Sequence, residues 1–244
     1  MVSTAAAVSV TCIGMLARSD RPADFNLDRD GAELFAQALD EPALVRLEAA
    51  LAALPIDTPG VRIGEEPLLK PLLEISGPIG AIAATAIGSD ARPVRAILFD
   101  KTAGRNWALG WHQDRTIVVR ERIDAPGFGP WTVKSGLIQV EPPFEILKRM
   151  VTVRVHLDQV DASNAPLRIV PGSHRLGRLP EGEVQRVAAI SGERLCLAER
   201  GDVWLYATSI VHASLPAHPP RRRRVLQVDY SADVAPYPLA WRGL

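Results

Sequence analysis

Cysteine is scarce in this sequence, since only Cys12 and Cys196 occur among 244 residues. The two lie far apart and match neither a CxxC motif nor a Cys/His zinc spacing. This argues against a disulfide framework and against a structural zinc site. We therefore expect both to be buried thiols in a reducing compartment.

The sequence also lacks an excess of either charge, because 28 basic residues balance 28 acidic ones. Proteins that bind nucleic acid or an anionic membrane surface usually carry a basic excess. We expect neither partner. The sequence carries no signal for the oligomeric state.

Long hydrophobic runs are missing as well. The opening stretch, Met1–Ala17, is apolar and Ala-rich, but it is shorter than the roughly 20 residues that a membrane-spanning helix needs. It has no Lys or Arg in front of its apolar core, as a secretory signal would have. A cytoplasmic location is the expectation.

Internal repeats, low-complexity tracts and linkers are absent too, which favours one domain over residues 1–244. The part from about 28 to 92 has the apolar spacing of helices. One helix is predicted over Glu33–Leu54, divided by Pro42, and a second over Gly77–Ile87. These helices are expected to flank a sheet.

From about 93 to 235 the pattern changes to short β-type runs separated by Pro and Gly, typical of an antiparallel sandwich or barrel. The fold class predicted is mainly β with flanking helices. The irregular segment Arg122–Trp131 is the candidate for a functional loop or lid. The predicted strands are Val94–Phe99, Thr116–Val119, Leu137–Val140, Met150–Leu157, Leu167–Val170, Val203–Tyr206 and Val225–Tyr230.

A candidate metal site begins with His112 and Asp114, which lie two residues apart between two predicted strands. In extended backbone such side chains point the same way. An imidazole and a carboxylate so placed supply two ligands of a facial triad, which needs one further imidazole. By itself an HxD pair also occurs often as an ordinary surface pair.

His212 is the best third ligand, because it follows the hydrophobic run 203–206 and precedes a basic segment. Three other histidines suit the role less well. His156 lies within a strand, His174 lies in a Pro-Gly-Ser-His turn, and His218 lies in a proline-rich loop.

Three blocks of sequence together resemble the phytanoyl-CoA dioxygenase family. They are Trp111-His112-Gln113-Asp114, then the stretch from Asn164 to His174 that ends in Pro-Gly-Ser-His, then His212-Ala213-Ser214 with Arg223 beyond. They occur in the family's order and span about Val94 to Tyr230. The one departure noted is Ala165, where the family usually has Gly.

The resemblance implies a double-stranded β-helix, that is a jelly-roll or cupin-like core. It also implies Fe(II) held by His112, Asp114 and His212, with 2-oxoglutarate as co-substrate and O2 as oxidant. The reaction implied is hydroxylation of an aliphatic C–H bond of a small organic substrate, with release of succinate and CO2. His174 is expected to be structural.

Arg223 lies 11 residues beyond His212 (223 − 212), similar to the family's offset for the arginine that binds 2-oxoglutarate. Its neighbour Arg224 faces the other side of the same strand and remains an alternative. Ser214 is a further candidate for binding the same carboxylate. Thr152 is assigned to the co-substrate site because the resemblance places its strand in the barrel.

Five residues are candidates for contacting the substrate. Arg154 and His156 share a strand face with Thr152, and this polar face lines either a cavity or the solvent. The candidates are Lys101, Trp131, Lys134, Arg154 and His156.

Two other kinds of protein fit the same residues. One is a cupin-like metal dioxygenase or isomerase that does not use 2-oxoglutarate. The other is a non-catalytic jelly-roll protein that binds a ligand. Desaturation and epimerisation also use the same triad, so the residues leave the type of oxidation open.

Overall fold

The protein is described by a computed structural model that covers residues 25–55 and 58–244. The expectations for Met1–Ala17 and Cys12 lie outside these residues. Cys196 is buried, as predicted, and has no disulfide partner among the described residues; burial raises the pKa of its thiol to about 12. Within the described ranges, no helix combines the length and apolarity needed to cross a membrane.

Short antiparallel strands dominate the described part of the chain. They are β1 (Ala32–Phe35), β2 (Val61–Ile63), β3 (Arg92–Lys101), β4 (Leu109–His112), β5 (Ile117–Val119), β6 (Trp131–Lys134), β7 (Leu137–Val140), β8 (Val151–His156), β9 (Leu167–Ile169), β10 (Arg194–Cys196), β11 (Val203–Ala207), β12 (His212–Ser214) and β13 (Arg223–Ser231). The helices are α1 (Leu27–Asp30), α2 (Glu41–Leu51), α3 (Lys70–Leu73), α4 (Pro78–Ile87), α5 (Phe144–Lys148) and α6 (Glu181–Ser191).

The strands form a large sheet in the order β1-β11-β8-β13-β3-β2, a second sheet in the order β10-β9-β12-β4, and a three-stranded sheet in the order β5-β7-β6. The central strands β11-β8-β13-β3 and the second sheet supply the four-plus-four strands of a double-stranded β-helix. The predicted jelly-roll core is therefore confirmed. Residues of both sheets line one cavity, which lies between them.

The two faces of the large sheet differ because side chains alternate along each strand. On β8, the three valines Val151, Val153 and Val155 belong to an apolar cluster that includes buried residues of α2 and α4. Thr152, Arg154 and His156 are also buried but alternate with those valines. One face thus packs on helices, and the other turns polar groups into the barrel.

The predicted helix over Glu33–Leu54 is wrong in its first part. Residues Ala32–Phe35 form β1, which pairs with β11 at the edge of the large sheet. The helix starts only at Glu41, where the Asp40 side chain accepts a hydrogen bond from the Ala43 amide. Pro42 lies in the first turn of this helix and does not divide it, because a proline there sacrifices no hydrogen bond.

Candidate metal centre and adjoining cavity

His112 and His212 face each other directly across two paired strands. His112 ends β4, His212 begins β12, and the antiparallel register places them opposite one another. Their ring centroids are 4.2 Å apart. Strand pairing thus brings together two histidines that are 100 residues apart in the sequence (212 − 112).

Asp114 joins the two histidines from the segment that follows β4. Gln113, between His112 and Asp114, is buried and anchors this segment by donating to the Ser209 carbonyl at 2.8 Å and accepting from the Leu179 amide at 3.0 Å. One ligand atom from each of the three residues lies within 4.8 Å of the others. The predicted set can therefore hold one metal ion.

The hydrogen bonds of both histidines fix which ring nitrogen is available. Nδ1 of His112 lies 2.7 Å from the Gly110 carbonyl oxygen, and Nδ1 of His212 lies 3.0 Å from the Ile210 carbonyl oxygen. A carbonyl only accepts, so each Nδ1 carries a proton, and Nε2 is the nitrogen left to bind a metal. This is how carbonyl groups usually orient a metal-binding histidine.

The protonation states also suit a cation. Burial raises the pKa of the Asp114 carboxyl, but Arg95 and the two histidines outweigh burial and hold that pKa at about 2. Burial and the neighbouring His112 lower the pKa of His212 to about 3, although Asp114 acts in the opposite sense. At neutral pH the site therefore presents a carboxylate and a neutral His212 imidazole, the forms that bind metals.

A buried polar network holds Asp114 in place. Arg95 is 3.6 Å from the Asp114 carboxylate and also forms an ion pair with buried Asp229. The Gln227 amide donates to Asp114 at 3.3 Å, and its oxygen accepts from the Tyr206 hydroxyl at 3.2 Å. The sequence prediction missed Arg95 and Tyr206, although a charged residue inside a long apolar strand was an available signal.

The Pro-Gly-Ser-His turn supports the third ligand. The Ser173 hydroxyl accepts a hydrogen bond of 2.9 Å from the amide of Val211, the residue next to His212. Gly172 has φ 76°, a conformation that glycine adopts without strain. The turn therefore fixes the backbone at the start of β12, and His174 is not in the metal-binding group, as expected.

A cavity of about 330 Å³ adjoins the metal-binding group. His112, Asp114 and His212 line it, and Asp114 is its one acidic lining residue within the described chain. The cationic residues along its wall outnumber that carboxylate by six to one; they are Arg62, Arg95, Lys101, Lys134, Arg154 and Arg223. Such a cavity attracts anions.

Two of these cations lie directly opposite each other on neighbouring strands of the large sheet. Lys101 on β3 pairs directly with Arg223 on β13, and the two residues are only 1% and 2% exposed. Nζ of Lys101 donates to the Ser214 hydroxyl at 2.8 Å, and Arg223 donates to the Ala165 carbonyl at 2.6 Å. Burial and the charge of Arg223 lower the pKa of Lys101 to about 7.

Ala165 occupies the position where the family usually has glycine. Its φ is 53°, within the left-handed region that glycine adopts most readily. This backbone turn directs the Ala165 carbonyl towards the Arg223 guanidinium. The position therefore contributes to the geometry of the arginine.

Arg224 lies on the opposite face of β13 from Arg223. This difference distinguishes the two arginines, between which the sequence alone could not decide. Arg224 forms ion pairs with Asp158 at 2.7 Å and Glu48 at 2.9 Å and does not line the cavity. Arg223 is the member of the pair that lines it.

The remaining predicted site residues divide into two groups. Ser214, Arg154 and Lys134 line the cavity with Lys101. Thr152, His156 and Trp131 do not line it. Thr152 instead donates to Asp229 at 3.0 Å, behind the network that holds Asp114.

Trp131 lies outside the cavity because it begins β6 and packs on the apolar cluster beside the three-stranded sheet. The segment that precedes it, from 122 to 130, has no regular secondary structure, as expected. However, none of its residues lines the cavity, so the predicted lid does not cover the metal-binding group.

One comparison with known proteins identifies a family. A model of the phytanoyl-CoA dioxygenase family matches residues 79–225 of the chain. These residues include the three predicted ligands and Arg223. No curated protein matches the sequence.

Solved structures share the fold at low sequence identity. EctD from S. alaskensis with 2-oxoglutarate and 5-hydroxyectoine is 19% identical with a TM-score of 0.61, covering 84% of this chain and 73% of its own. The epimerase SnoN with Fe3+, alpha-ketoglutarate and nogalamycin RO is 18% identical with a TM-score of 0.61, covering 84% and 80%. HygX from Streptomyces hygroscopicus with nickel, 2-oxoglutarate and hygromycin B is 14% identical with a TM-score of 0.58, covering 84% of each chain.

Proposed function

This chain belongs to the phytanoyl-CoA dioxygenase family, and we propose that it is an Fe(II)- and 2-oxoglutarate-dependent dioxygenase that hydroxylates an aliphatic C–H bond of a small organic substrate. The co-substrate and O2 would be converted to succinate and CO2, with one oxygen atom in succinate and one in the product. The three structural neighbours described above were solved with 2-oxoglutarate or alpha-ketoglutarate, which supports the co-substrate.

The residues of the metal-binding group fit Fe(II). Two imidazole Nε2 atoms and one carboxylate form the two-histidine, one-carboxylate donor set typical of non-haem Fe(II) oxygenases. Both imidazoles are oriented by backbone carbonyls, and the carboxylate is held by Arg95 and Gln227. When bound there, iron supplies the activation of O2 that C–H oxidation requires.

The observation that carries the proposal is the buried cation pair Lys101 and Arg223 in the same cavity. Like charges directly opposite one another in a sheet are destabilising, and buried charges need partners. A bound carboxylate between them offsets both costs. A planar guanidinium on β13 suits a bidentate pair with that carboxylate.

The separation between the metal-binding group and the Lys101–Arg223 pair matches the length of a short dicarboxylate. Ser214, which accepts from Lys101, lies two residues beyond His212 on the same strand, and two strand residues span about 6.6 Å. One end of 2-oxoglutarate would therefore reach the metal while its distal carboxylate contacts Lys101, Ser214 and Arg223. Lys101, Ser214 and Arg223 are all buried, so they would shield the distal carboxylate from water.

Succinate formation tests this proposal. Purified protein is supplied with Fe(II), 2-oxoglutarate, O2 and ascorbate, because ascorbate delivers the two electrons that the unidentified substrate would otherwise supply. Succinate is quantified for the wild type and for the variants Asp114→Ala and Arg224→Gln. We expect succinate from the wild-type protein and from Arg224→Gln, but none above background from Asp114→Ala. Folded, iron-loaded wild-type protein that forms no succinate would favour a cupin-like dioxygenase that does not use 2-oxoglutarate.

A further inference from the structure

Two cations from outside the eight barrel strands line the substrate side of the cavity. Arg62 comes from β2, the added edge strand of the large sheet, and Lys134 comes from the end of β6 in the three-stranded sheet. Neither belongs to the pair assigned to 2-oxoglutarate. The charge of Arg62, whose Nε is buried, therefore needs a separate explanation, which rests on the proposed function.

Arg62 lines the same cavity as Asp114. Its neighbours Val61 and Ile63 pack into the core on the opposite face of β2. Nε of Arg62 is buried without a hydrogen-bond partner in the described chain, and Nη1 has only a long contact of 3.5 Å with the Gly60 carbonyl. Burial and the charge of Arg95 lower the pKa of Arg62, and Asp114 raises it, so all three groups share one region.

Lys134 brings a second charge to the same end of the cavity. It lies at the tip of the β6–β7 hairpin, opposite Leu137, and is exposed. Its neighbour Ser135 and Arg62 together line a depression beside the cavity, so the hairpin tip lies next to β2. Within the described ranges Lys134 has no ion pair.

The other cavity cations already have partners. Arg95 is paired with Asp114 and Asp229, and Arg154 lies over the Phe99 ring at 5.4 Å. Lys101 and Arg223 contact the proposed co-substrate carboxylate. Once 2-oxoglutarate and the metal are bound, Arg62, Lys134 and Arg154 are the cavity cations without an anion among the described residues, and of these Arg154 has the Phe99 ring as a partner.

We propose that the molecule oxidised by this enzyme carries an oxyanion, a carboxylate or a phosphate, bound between Arg62 and Lys134. Pro59, Trp107 and Leu109 line the cavity with them and offer an apolar surface for its carbon skeleton. The anion would fix the molecule at one end, and a C–H bond further along would lie near the metal. Arg62 and Lys134 are thus specificity residues for an acidic substrate.

Matched pairs of small acids and amides test this inference without turnover. Zn(II) replaces Fe(II) because it is redox-inert and binds imidazole and carboxylate ligands. With 2-oxoglutarate saturating, saturation-transfer NMR compares benzoate with benzamide and hexanoate with hexanamide, and phenyl phosphate distinguishes phosphate from carboxylate. The proteins are the wild type, Arg62→Gln/Lys134→Gln, Lys134→Gln alone, and the charge-matched control Arg122→Gln/Lys148→Gln.

We expect the wild type and the charge-matched control to bind at least one acid about tenfold more tightly than its neutral counterpart, as a charge-assisted hydrogen bond implies. The double variant should lose this preference and Lys134→Gln should lose part of it. Equal binding of acids and amides, no binding of any acid, or an undiminished preference in the double variant would overturn the inference. Failure of 2-oxoglutarate itself to bind the Zn(II) protein would instead overturn the proposed function.

Discussion

Lys101 and Arg223 stand directly opposite each other on β3 and β13, both buried, in the cavity that adjoins the metal-binding group. Two buried like charges at directly paired strand positions are costly unless an anion lies between them. A co-substrate carboxylate bound between Lys101 and Arg223 therefore explains why these buried strand positions carry cations.

Replacing Arg223 tests the pairing. Arg223→Gln removes the guanidinium but keeps a polar side chain, and we expect 2-oxoglutarate affinity to fall about 100-fold, as for loss of one partner of a buried charge pair. Isothermal titration of the Zn(II) protein measures it. Arg224→Gln is the matched control, because Arg224 pairs with Asp158 and Glu48 on the outer face. A larger loss in Arg224→Gln would reverse the assignment.

The lowered pKa of Lys101 predicts a pH dependence for co-substrate binding. Its pKa of about 7 means that the free protein increasingly loses this charge above neutral pH. A carboxylate bound beside Lys101 favours the charged form, so binding takes up a proton. The 2-oxoglutarate affinity should therefore fall as pH rises above about 7, by up to about tenfold per pH unit.

Lys101→Arg supplies the control for that profile, because a guanidinium keeps its charge throughout this range. Affinity for 2-oxoglutarate in this variant should change little between neutral and alkaline pH. A wild-type affinity that is flat above neutral pH would show that Lys101 does not contact the co-substrate.

Gln227 is expected to act on metal binding through Asp114. Gln227→Leu removes the donor to the Asp114 carboxylate and leaves the Tyr206 hydroxyl without its acceptor. Loss of such an orienting group typically lowers metal affinity 10- to 100-fold, and we expect a fall of about that size. Anaerobic competition for Fe(II) with a chelator measures it. Gln159→Leu, on the exposed surface, should leave the affinity unchanged.

The burial of His156 predicts that the stability of the fold depends on pH. His156 is 1% exposed, neither ring nitrogen has a hydrogen-bond partner among the described residues, and burial with Arg154 and Arg223 nearby holds its pKa well below 6.5. The folded state therefore keeps His156 neutral while the unfolded state gains a proton below pH 6.5. The protein is therefore free of this protonation penalty above pH 6.5 and loses stability as pH falls below it.

His156→Leu should remove this contribution to acid sensitivity. Above pH 6.5 we expect the free energy of unfolding of this variant to lie between the wild-type value and about 1 kcal/mol above it, because the substitution removes an unpartnered buried polar group. Below that pH its stability should fall less steeply. Urea unfolding on both sides of the transition checks this, and a steeper acid loss in the variant would contradict it.

Strand positions in the barrel were predictable because period-two alternation is strong there. The polar residues Thr152, Arg154 and His156 alternate with valines on β8, and this pattern places them on one face. The HxD pair, His212 and Arg223 were found from motif spacing. Antiparallel pairing of β4 with β12 then supplied the contact between the two histidines, which no local pattern encodes.

Other features depend on pairing between distant strands and were missed. β1 lies at a sheet edge, and its four residues carry a weaker signal than the helical spacing that follows. Arg95 meets Asp229 only through the register of β3 against β13, and Arg62 reaches the cavity only because β2 joins the same sheet. Trp131 was assigned to a lid because the sequence pattern did not predict β6, the strand that it begins.

The central claim is that iron and 2-oxoglutarate bind together in this cavity. Anaerobic titration of the Fe(II) protein with 2-oxoglutarate, followed by visible absorption, tests it most directly, because chelation of iron by the co-substrate gives a weak charge-transfer band. The account predicts that this band appears in the wild type and requires far more 2-oxoglutarate in Arg223→Gln. Folded protein that binds Fe(II) but shows no band at any 2-oxoglutarate concentration would contradict it.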